Sequence, residues 1–402
     1  MNRIVIVGAS AGGLATAEAL RRSGYGGGIT VLGEEPYLPY DRPPLSKQIL
    51  TGEWQPDRLP LRAKADIDAL DLDLRLGVRA TGLDVAARTV TLADGSRLPY
   101  EGLVVATGVR PRRLPGCEGV TGVHTLRTLE DALTLKARLL PGRRLVIVGA
   151  GFIGAEVAAV ARGLGVEVTV LESGPVPLAL AVGERTGRWL ARSHQDHGVR
   201  IRTGVSVSEV LATDGEVTGV ALADGSVIPA DDVLVAIGSV PNTEWLEGSG
   251  LTVDNGLVCD EFSAAAPGVY GVGDVARWDN PLFGTAMRVE HRTNAAEQAM
   301  AVARNLLARE PVPRRPFAPV PYFWSDQYEM KIQAYGYLRG HDEAVVVDDD
   351  ASRGRLLVAY RTGDRLAGVL AVGVPPKTLR SWRALIAAGS PWADALGTEV
   401  AA

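Results

Sequence analysis

The sequence predicts an α/β protein with two parallel sheets, one formed within the other's span of chain, and a small α+β domain at the C-terminal end. Three observations predict it. First, Ile4-Val-Ile-Val-Gly-Ala-Ser-Ala-Gly-Gly-Leu-Ala-Thr-Ala-Glu-Ala-Leu20 recurs in outline as Leu145-Val-Ile-Val-Gly-Ala-Gly-Phe-Ile-Gly-Ala-Glu-Val-Ala-Ala-Val-Ala161. Each copy reads as an apolar strand, a glycine turn and an Ala-rich helix. Second, each copy leads to another apolar strand ending at an acid, Ile29-Thr-Val-Leu-Gly-Glu34 and Val168-Thr-Val-Leu-Glu172. Continuously apolar strands alternating with helices mark parallel sheets covered on both faces. Third, Leu103-Val-Val-Ala-Thr-Gly108 and Val233-Leu-Val-Ala-Ile-Gly238 both follow an Ala-Asp-Gly-Ser hairpin signal, at residues 93–96 and 223–226. Each unit therefore closes with a hairpin excursion and a return strand.

The chain leaves the first unit near residue 110, through Val109-Arg-Pro-Arg-Arg-Leu-Pro115, and re-enters it near 238. This gives a discontinuous first domain, 1–110 and 238–315, and an inserted second domain, 111–237. Residues 284–309 are rich in Ala and Glu and read as a helix, and the run Glu310-Pro-Val-Pro-Arg-Arg-Pro316 breaks the chain. Residues 322–374 alternate apolar and polar in short runs. They predict a small antiparallel sheet with a closing helix in a third domain, 316–402.

Composition narrows the function classes. The chain has 402 residues, of which 46% are hydrophobic, enough to fill several cores and too many for a disordered chain. A formal net charge of -5 leaves no nucleic-acid footprint. No run of about 18 apolar residues suggests a membrane span, and Met1 runs almost directly into a strand, so no signal peptide is expected. The only cysteines, Cys117 and Cys259, lie far apart, which removes a disulfide framework and any Cys-x-x-Cys pair. A reducing cytoplasm is the simplest compartment.

The chemistry lies in the turns. In Gly8-x-Ser10-x-x-Gly13, with Gly12 beside it, the glycines allow a tight turn and bring a pyrophosphate onto backbone N–H groups at a helix N-terminus. Ser10 stands where a glycine is usual. Glu34, at the end of the next strand, can accept from ribose hydroxyls. The second motif, Gly149-x-Gly151-Phe152-Ile153-Gly154, is complete, and Glu172 follows Gly149 by 23 residues. A carboxylate there accepts from a free 2′-hydroxyl and repels a 2′-phosphate. No arginine follows in Ser173-Gly174-Pro175, so NADH is expected over NADPH. Both units thus read as Rossmann-like and dinucleotide-binding. Directly after the first acid comes Tyr37-Leu-Pro-Tyr40-Asp41-Arg42-Pro43-Pro44-Leu45-Ser46-Lys47, in which a rigid Pro-Pro turn would bring Arg42 and Lys47 near the far end of the first nucleotide.

Together with Ala106-Thr107-Gly108, Val269-Tyr-Gly-Val-Gly-Asp274 and Pro321-Tyr-Phe-Trp-Ser-Asp-Gln-Tyr328, these motifs resemble the NADH-dependent ferredoxin reductase family over essentially the whole chain. The resemblance implies FAD on the first motif and NADH on the second. It implies that Asp274, after Gly273, bonds the flavin ribityl chain, and that Trp324, Glu290 and His291 lie near the isoalloxazine. Arg127 and Gly238 join the cofactor-binding set on the same ground. It further implies an ion pair between Lys47 and Glu156 at flavin N5, the two residues expected to act in the chemistry, with no metal site. The partner implied is an acidic [2Fe–2S] ferredoxin serving a cytochrome P450 or a ring-hydroxylating dioxygenase, and the reductase is expected to be a monomer or weak dimer.

For such a partner a basic surface is expected, and residues 288–315 carry six arginines (288, 292, 304, 309, 314, 315) against three glutamates (290, 297, 310). Three rivals remain in view. A thiol-dependent disulfide reductase needs a cysteine early in the chain, and none precedes Cys117. A rubredoxin or monodehydroascorbate-type reductase would share the glycine motifs. An NADH-sensing interaction protein would share the fold.

Overall fold

The structure, a computed structural model, describes residues 1–308, 311–350 and 353–400. The chain forms two compact units: Met1–Asp41, Leu59–Arg110 and Val240–Phe323 in the first; Arg42–Arg58, Pro111–Ser239 and the chain from Trp324 onward in the second. Among the described residues, no helix is long and apolar enough to cross a membrane.

The first unit is built on a six-stranded sheet in the order Ala264–Ala266, Val269–Gly271, Gly102–Val105, Arg3–Val7, Gly28–Gly33, Asp73–Leu76. Arg3–Val7 pairs in parallel with strands on both sides, Ile4 lying opposite Ile29 and Gly102. That position explains its sequence. A central strand covered on both faces has no solvent side to make polar, and Ile4, Val5 and Ile6 are fully buried. Helix Ala11–Arg22 packs on helix Arg292–Leu306. Leu20, Val104, Val302 and Tyr270 close the core around them. Each such fully buried aliphatic side chain contributes about 1.5–3 kcal/mol.

The second unit repeats the plan with five parallel strands, in the order Arg200–Thr203, Glu167–Glu172, Arg144–Val148, Asp232–Val235, Val123–His124. A three-stranded meander, Val207–Thr213, Glu216–Leu222 and Val227–Pro229, precedes the return strand, as Ala80–Asp84, Thr89–Leu92 and Arg97–Pro99 do in the first unit. The second turn of each meander falls at the Ala-Asp-Gly-Ser signal, with Gly95 and Gly225 at positive φ. The second unit, from Trp324 onward, also holds most of the C-terminal five-stranded antiparallel sheet, Tyr322–Gln327, Met330–Gly336, Arg365–Val372, Arg355–Thr362 and Glu343–Asp350 in spatial order. Helix Pro376–Ala387 seals it with the fully buried Trp382.

The structure corrects two expectations. Residues 284–309 are not one helix: Thr285–Arg288 is a strand, and the helix begins at Arg292. Gly284 at φ 62° opens a turn that folds Thr285–Arg288 back onto Ala276–Asn280, burying Met287. The Ala/Glu composition does not distinguish such a short pairing. The segment Arg42–Arg58, read with the first domain, packs as part of the second unit. Its short helix Gln48–Thr51 lies on helix Leu129–Arg138, and the turn Pro43–Ser46 lies on helix Phe152–Gly163.

Two acids pin the start of the return strand of the second sheet. Asp232 is buried and meets His124 Nε2 at 3.0 Å, Arg138 Nε at 2.8 Å and Arg143 Nη2 at 2.7 Å. Asp231 accepts from the Arg144 backbone N–H at 2.8 Å and from its guanidinium at 2.6 Å. Hydrogen bonds from the Arg144 side chain, against partial burial, lower the Asp231 carboxyl to about 2. A carboxyl held below its unfolded value stabilises the fold above that value, near pH 4, and loses the contribution as pH falls toward 2. With solvent screening at this half-exposed pair, about 1 kcal/mol is expected. Urea unfolding of Asp231→Asn should show that deficit at pH 7 and almost none at the acid limit; an equal gap at both pH values refutes the assignment.

Candidate functional site

In the first unit the glycine turn is enforced by close approach. Gly8 has φ 119°, and a Cβ there would sit 2.1 Å from the Ala106 carbonyl oxygen. The turn delivers the chain into helix Ala11–Arg22 with Ser10 as N-cap. Ser10 is extended at φ -116°, a conformation any L-residue adopts, so the serine fits where glycine was expected. Its hydroxyl makes no capping bond, and the first turn holds no acid. The second turn repeats this: Gly149 has φ 100°, with a would-be Cβ 2.4 Å from the Ala236 carbonyl oxygen. At the N-cap Gly151 a Cβ would meet nothing within 4 Å, and again neither cap nor first-turn acid is present. A helix N-terminus ordinarily attracts a capping oxygen or a carboxylate. These two lack both, as the helices starting at Ala179, Arg292 and Pro376 also do, and it is the glycine turn behind each, open to close approach, that fits a pyrophosphate there.

Other predicted residues gather around each turn. In the first unit Gly12 faces Val272, and Gly13 packs on Gly8. Glu34 is exposed, 3.5 Å from Arg79. Thr107 Oγ1 donates to the Asn242 carbonyl at 2.8 Å, Asn242 Nδ2 donates to the Thr107 carbonyl at 2.9 Å, and Gly108 accepts from the Asn242 backbone. Asn242 thus holds the end of the return strand, a role its sequence position did not announce. Gly273, at φ 73°, donates to Gln298 Oε1, and Asp274 follows it, half-buried. Arg288 Nη1 bonds the Asp274 carbonyl at 3.1 Å and the exposed Glu290 at 2.6 Å. His291 stands at the N-cap position of helix Arg292–Leu306 without a side-chain capping bond, and lies 5.1 Å from the Phe323 ring.

The expected basic surface is thinner than its sequence count. Arg292 pairs with Asp41 at 2.5 Å and Arg314 with Asp260 at 3.8 Å, acids outside the segment. Arg304 and Arg315 are exposed. Arg309 and Glu310 lie outside the described residues.

The second unit holds the most developed cluster. Lys47 Nζ lies 2.7 Å from Glu156 Oε2, with the side chains only 12% and 5% exposed. Leu45 and Lys47 donate backbone bonds to Arg42 and Pro44, so the Pro-Pro turn presents the lysine, whose Nζ also donates to the Pro43 carbonyl. Ser46 Oγ donates to Glu156 Oε2 at 2.5 Å, and Ser325 Oγ donates to Oε1 at 2.7 Å. A buried carboxylate costs several kcal/mol unless both oxygens find donors, and here both do. Ser46 and Ser325 were missed in the sequence reading. The available signal was their place beside Lys47 and Trp324 in the two motifs. Strand alternation sends Ser325 inward while Trp324 remains half-buried.

Arg42 Nη1 donates to the Arg127 carbonyl at 2.6 Å, and Arg127 precedes the Thr128–Asp131 capping box of helix Leu129–Arg138. Gly238 accepts from the Arg112 backbone. Phe152 is half-buried, and Ile153 is 44% exposed at the helix mouth. Glu172 bends toward the turn: Oε2 accepts from the Ala150 N–H at 2.9 Å and Oε1 from the Gly174 N–H at 2.7 Å. A carboxylate has about four acceptor directions, so room remains for a ribose hydroxyl.

Neither thiol suits redox exchange. Burial, then Glu118, raises the Cys117 thiol. Burial pushes Cys259 up to about 12. A thiol needs its thiolate to attack a disulfide. Among the described residues no His, Cys, Asp and Glu cluster could hold a metal.

Comparison with known proteins agrees with this geometry. Residues 2–299 match the pyridine nucleotide-disulphide oxidoreductase family and residues 322–399 match the reductase C-terminal family. The ferredoxin–NAD(+) reductase component of the p-cumate 2,3-dioxygenase system of Pseudomonas putida is 40% identical over 92% of this chain and 86% of its own. The rubredoxin–NAD(+) reductase of the same species is 34% identical over 93% of this chain and 96% of its own. The crystal structure of a covalent putidaredoxin reductase–putidaredoxin complex superposes with a TM-score of 0.92 at 34% identity, covering 100% of this chain and 98% of the matched one. The chain belongs to the pyridine nucleotide-disulphide oxidoreductase family, in the group of ferredoxin–NAD(+) reductase components and their relatives, oxidoreductases that contain FAD and depend on NAD(H).

Proposed function

We propose that this enzyme takes electrons from NADH and passes them through FAD to an acidic [2Fe–2S] ferredoxin serving a cytochrome P450 or a ring-hydroxylating dioxygenase, in the cytoplasm and as a monomer or weak dimer. Beyond kinship, one observation carries the reading. A single chain presents two glycine turns, each opening a helix without cap or acid, and neither of its cysteines is a poised thiol. That combination supports transfer from one dinucleotide to the other with no sulfur between. The bound cofactors supply the redox chemistry, a hydride from NADH and two electrons released singly from the flavin.

The chain's own residues bind, orient and set the field. Backbone N–H groups at the first turn, around Gly8, Ser10, Gly12 and Gly13, hold the FAD pyrophosphate, with Glu34 on its ribose. Ala106, Thr107, Gly108 and Gly273 shape the path of the flavin, and Asp274 accepts from the ribityl hydroxyls. Arg42, Arg127, Glu290, His291 and Trp324 complete the flavin's surroundings. Gly149, Gly151, Phe152, Ile153 and Gly154 receive NADH, Glu172 accepts from its 2′-hydroxyl and Gly238 borders its path. Lys47 supplies positive charge toward the reduced flavin, and Glu156 orients the lysine and balances its charge.

The test of the whole reading is the anaerobic absorbance spectrum of the purified protein. A yellow protein bleached by NADH and poorly by NADPH is expected; a colourless preparation that takes up no flavin overturns the proposal. Lys47→Ala should slow flavin reduction by NADH about 10- to 100-fold, the size of losing one preorganised charge, while FAD retention changes far less. Stopped-flow reduction at the wild-type rate contradicts this role. Glu172→Ala should narrow the NADH-over-NADPH preference about 10-fold by removing both the acceptor and the repulsion. Steady-state kcat/KM for the two nucleotides reads the change directly, and an unaltered ratio excludes Glu172 as the selector.

A further inference from the structure

Helix Ala179–Asp196, kinked at Gly183, buries a face made of Val182, Thr186, Leu190 and His194. A histidine four residues beyond a core leucine would ordinarily need only one partner to satisfy it. His194 has two, and they begin a chain of bonds. Its Nδ1 lies 3.1 Å from the Tyr328 hydroxyl and its Nε2 lies 2.9 Å from Gln327 Oε1. Gln327 Nε2 donates to Ser325 Oγ at 3.1 Å, and Ser325 donates to Glu156 at 2.7 Å. His194, Gln327, Ser325 and Glu156 are all buried.

The carboxylate fixes the direction of every bond. Paired with Lys47, Glu156 only accepts, so Ser325 spends its proton on Glu156 and must accept from Gln327. The amide carbonyl of Gln327 then faces His194, which must carry its proton on Nε2. Its bare Nδ1 receives the Tyr328 hydroxyl proton. Four groups donate in one sense toward one carboxylate, and bonds so aligned polarise one another.

Two features indicate that this arrangement is held at a cost. Tyr328 has φ 53°, left-handed backbone that a tyrosine seldom adopts. The turn keeps its hydroxyl on His194 while its ring stacks on His197 at 3.7 Å. Burial, more than the neighbouring charges, keeps the start of the chain of bonds neutral. Burial, aided by His197 and opposed by the Gln327 bond, holds His194 below the usual imidazole value. Burial, with Glu329 adding and Arg162 opposing, pushes Tyr328 up to about 12, so its hydroxyl remains a donor.

We propose that His194 is a positioning residue for the Lys47–Glu156 pair, fixing the rotation of the Glu156 carboxylate, and with it the seat of the lysine ammonium, through Gln327 and Ser325. This rests on the role proposed above for Lys47 and Glu156 in flavin reduction.

The chain has only five lysines, so holoprotein labelled at lysine 13Cε gives a simple spectrum, with the Lys47 signal identified by its loss in Lys47→Arg. His194→Phe and Gln327→Met should each displace the Lys47 signal and slow flavin reduction by NADH about 3- to 10-fold, a typical loss for a slightly misplaced catalytic group. His194→Gln, which keeps a donor toward Gln327, should restore much of both. Tyr328→Phe, which deletes one hydroxyl and keeps the ring, serves if the larger changes prevent folding; it should displace the same signal by less. A Lys47 signal unmoved in these variants overturns the positioning role. A displaced signal with reduction as fast as in the wild type overturns its bearing on the reaction. Failure of the functional proposal reads out separately, as a protein without flavin colour.

Discussion

Burying a carboxylate removes it from water, and the loss must be offset by donors at both oxygens. Glu156 meets this demand with Lys47, Ser46 and Ser325, which come from two segments far from it in sequence. One glutamate on the helix after the second glycine turn therefore joins the loop at residues 42–58 and the first strand of the C-terminal sheet into the same compact unit. The loop packs there, although it leaves the chain between strands of the other unit. Removing any one donor would leave the carboxylate short of a partner where solvent cannot replace it.

The architecture was legible because its signals are local and periodic. Ile4-Val-Ile-Val and Leu145-Val-Ile-Val read as buried parallel strands from four residues each, and the Ala-Asp-Gly-Ser signals marked the second turn of each meander. The helix starting at Arg292 was recognised, but the strand Thr285–Arg288 before it was absorbed into the same prediction, since four residues of mixed character carry no period. The resemblance named the Lys47–Glu156 pair. It did not reveal Ser325 or His194, whose partners lie 169 and 133 residues away in sequence. Polar contacts at such separations leave no pattern along the chain. Asn242 escaped notice for the same reason, although it ties down Thr107 and Gly108.

Charge counts along a sequence overlook acids folded in from elsewhere. The arginines of residues 288–315 looked like a surplus, yet Asp41 and Asp260 answer two of them. Arg304 and Arg315 are among the exposed arginines of this segment, and charge at exposed positions shapes encounter rate more than affinity.

The two uncapped helix starts behind the glycine turns carry a further consequence. A missing N-cap typically costs a helix about 1 kcal/mol, and the helix starts at Ser10 and Gly151 are among those in this fold that carry the deficit. A pyrophosphate seated there, as proposed, would make up the deficit that the side chains leave. Loading and folding would then be linked equilibria, each dinucleotide serving as a structural part of the domain that binds it and lending it stability that grows with its occupancy.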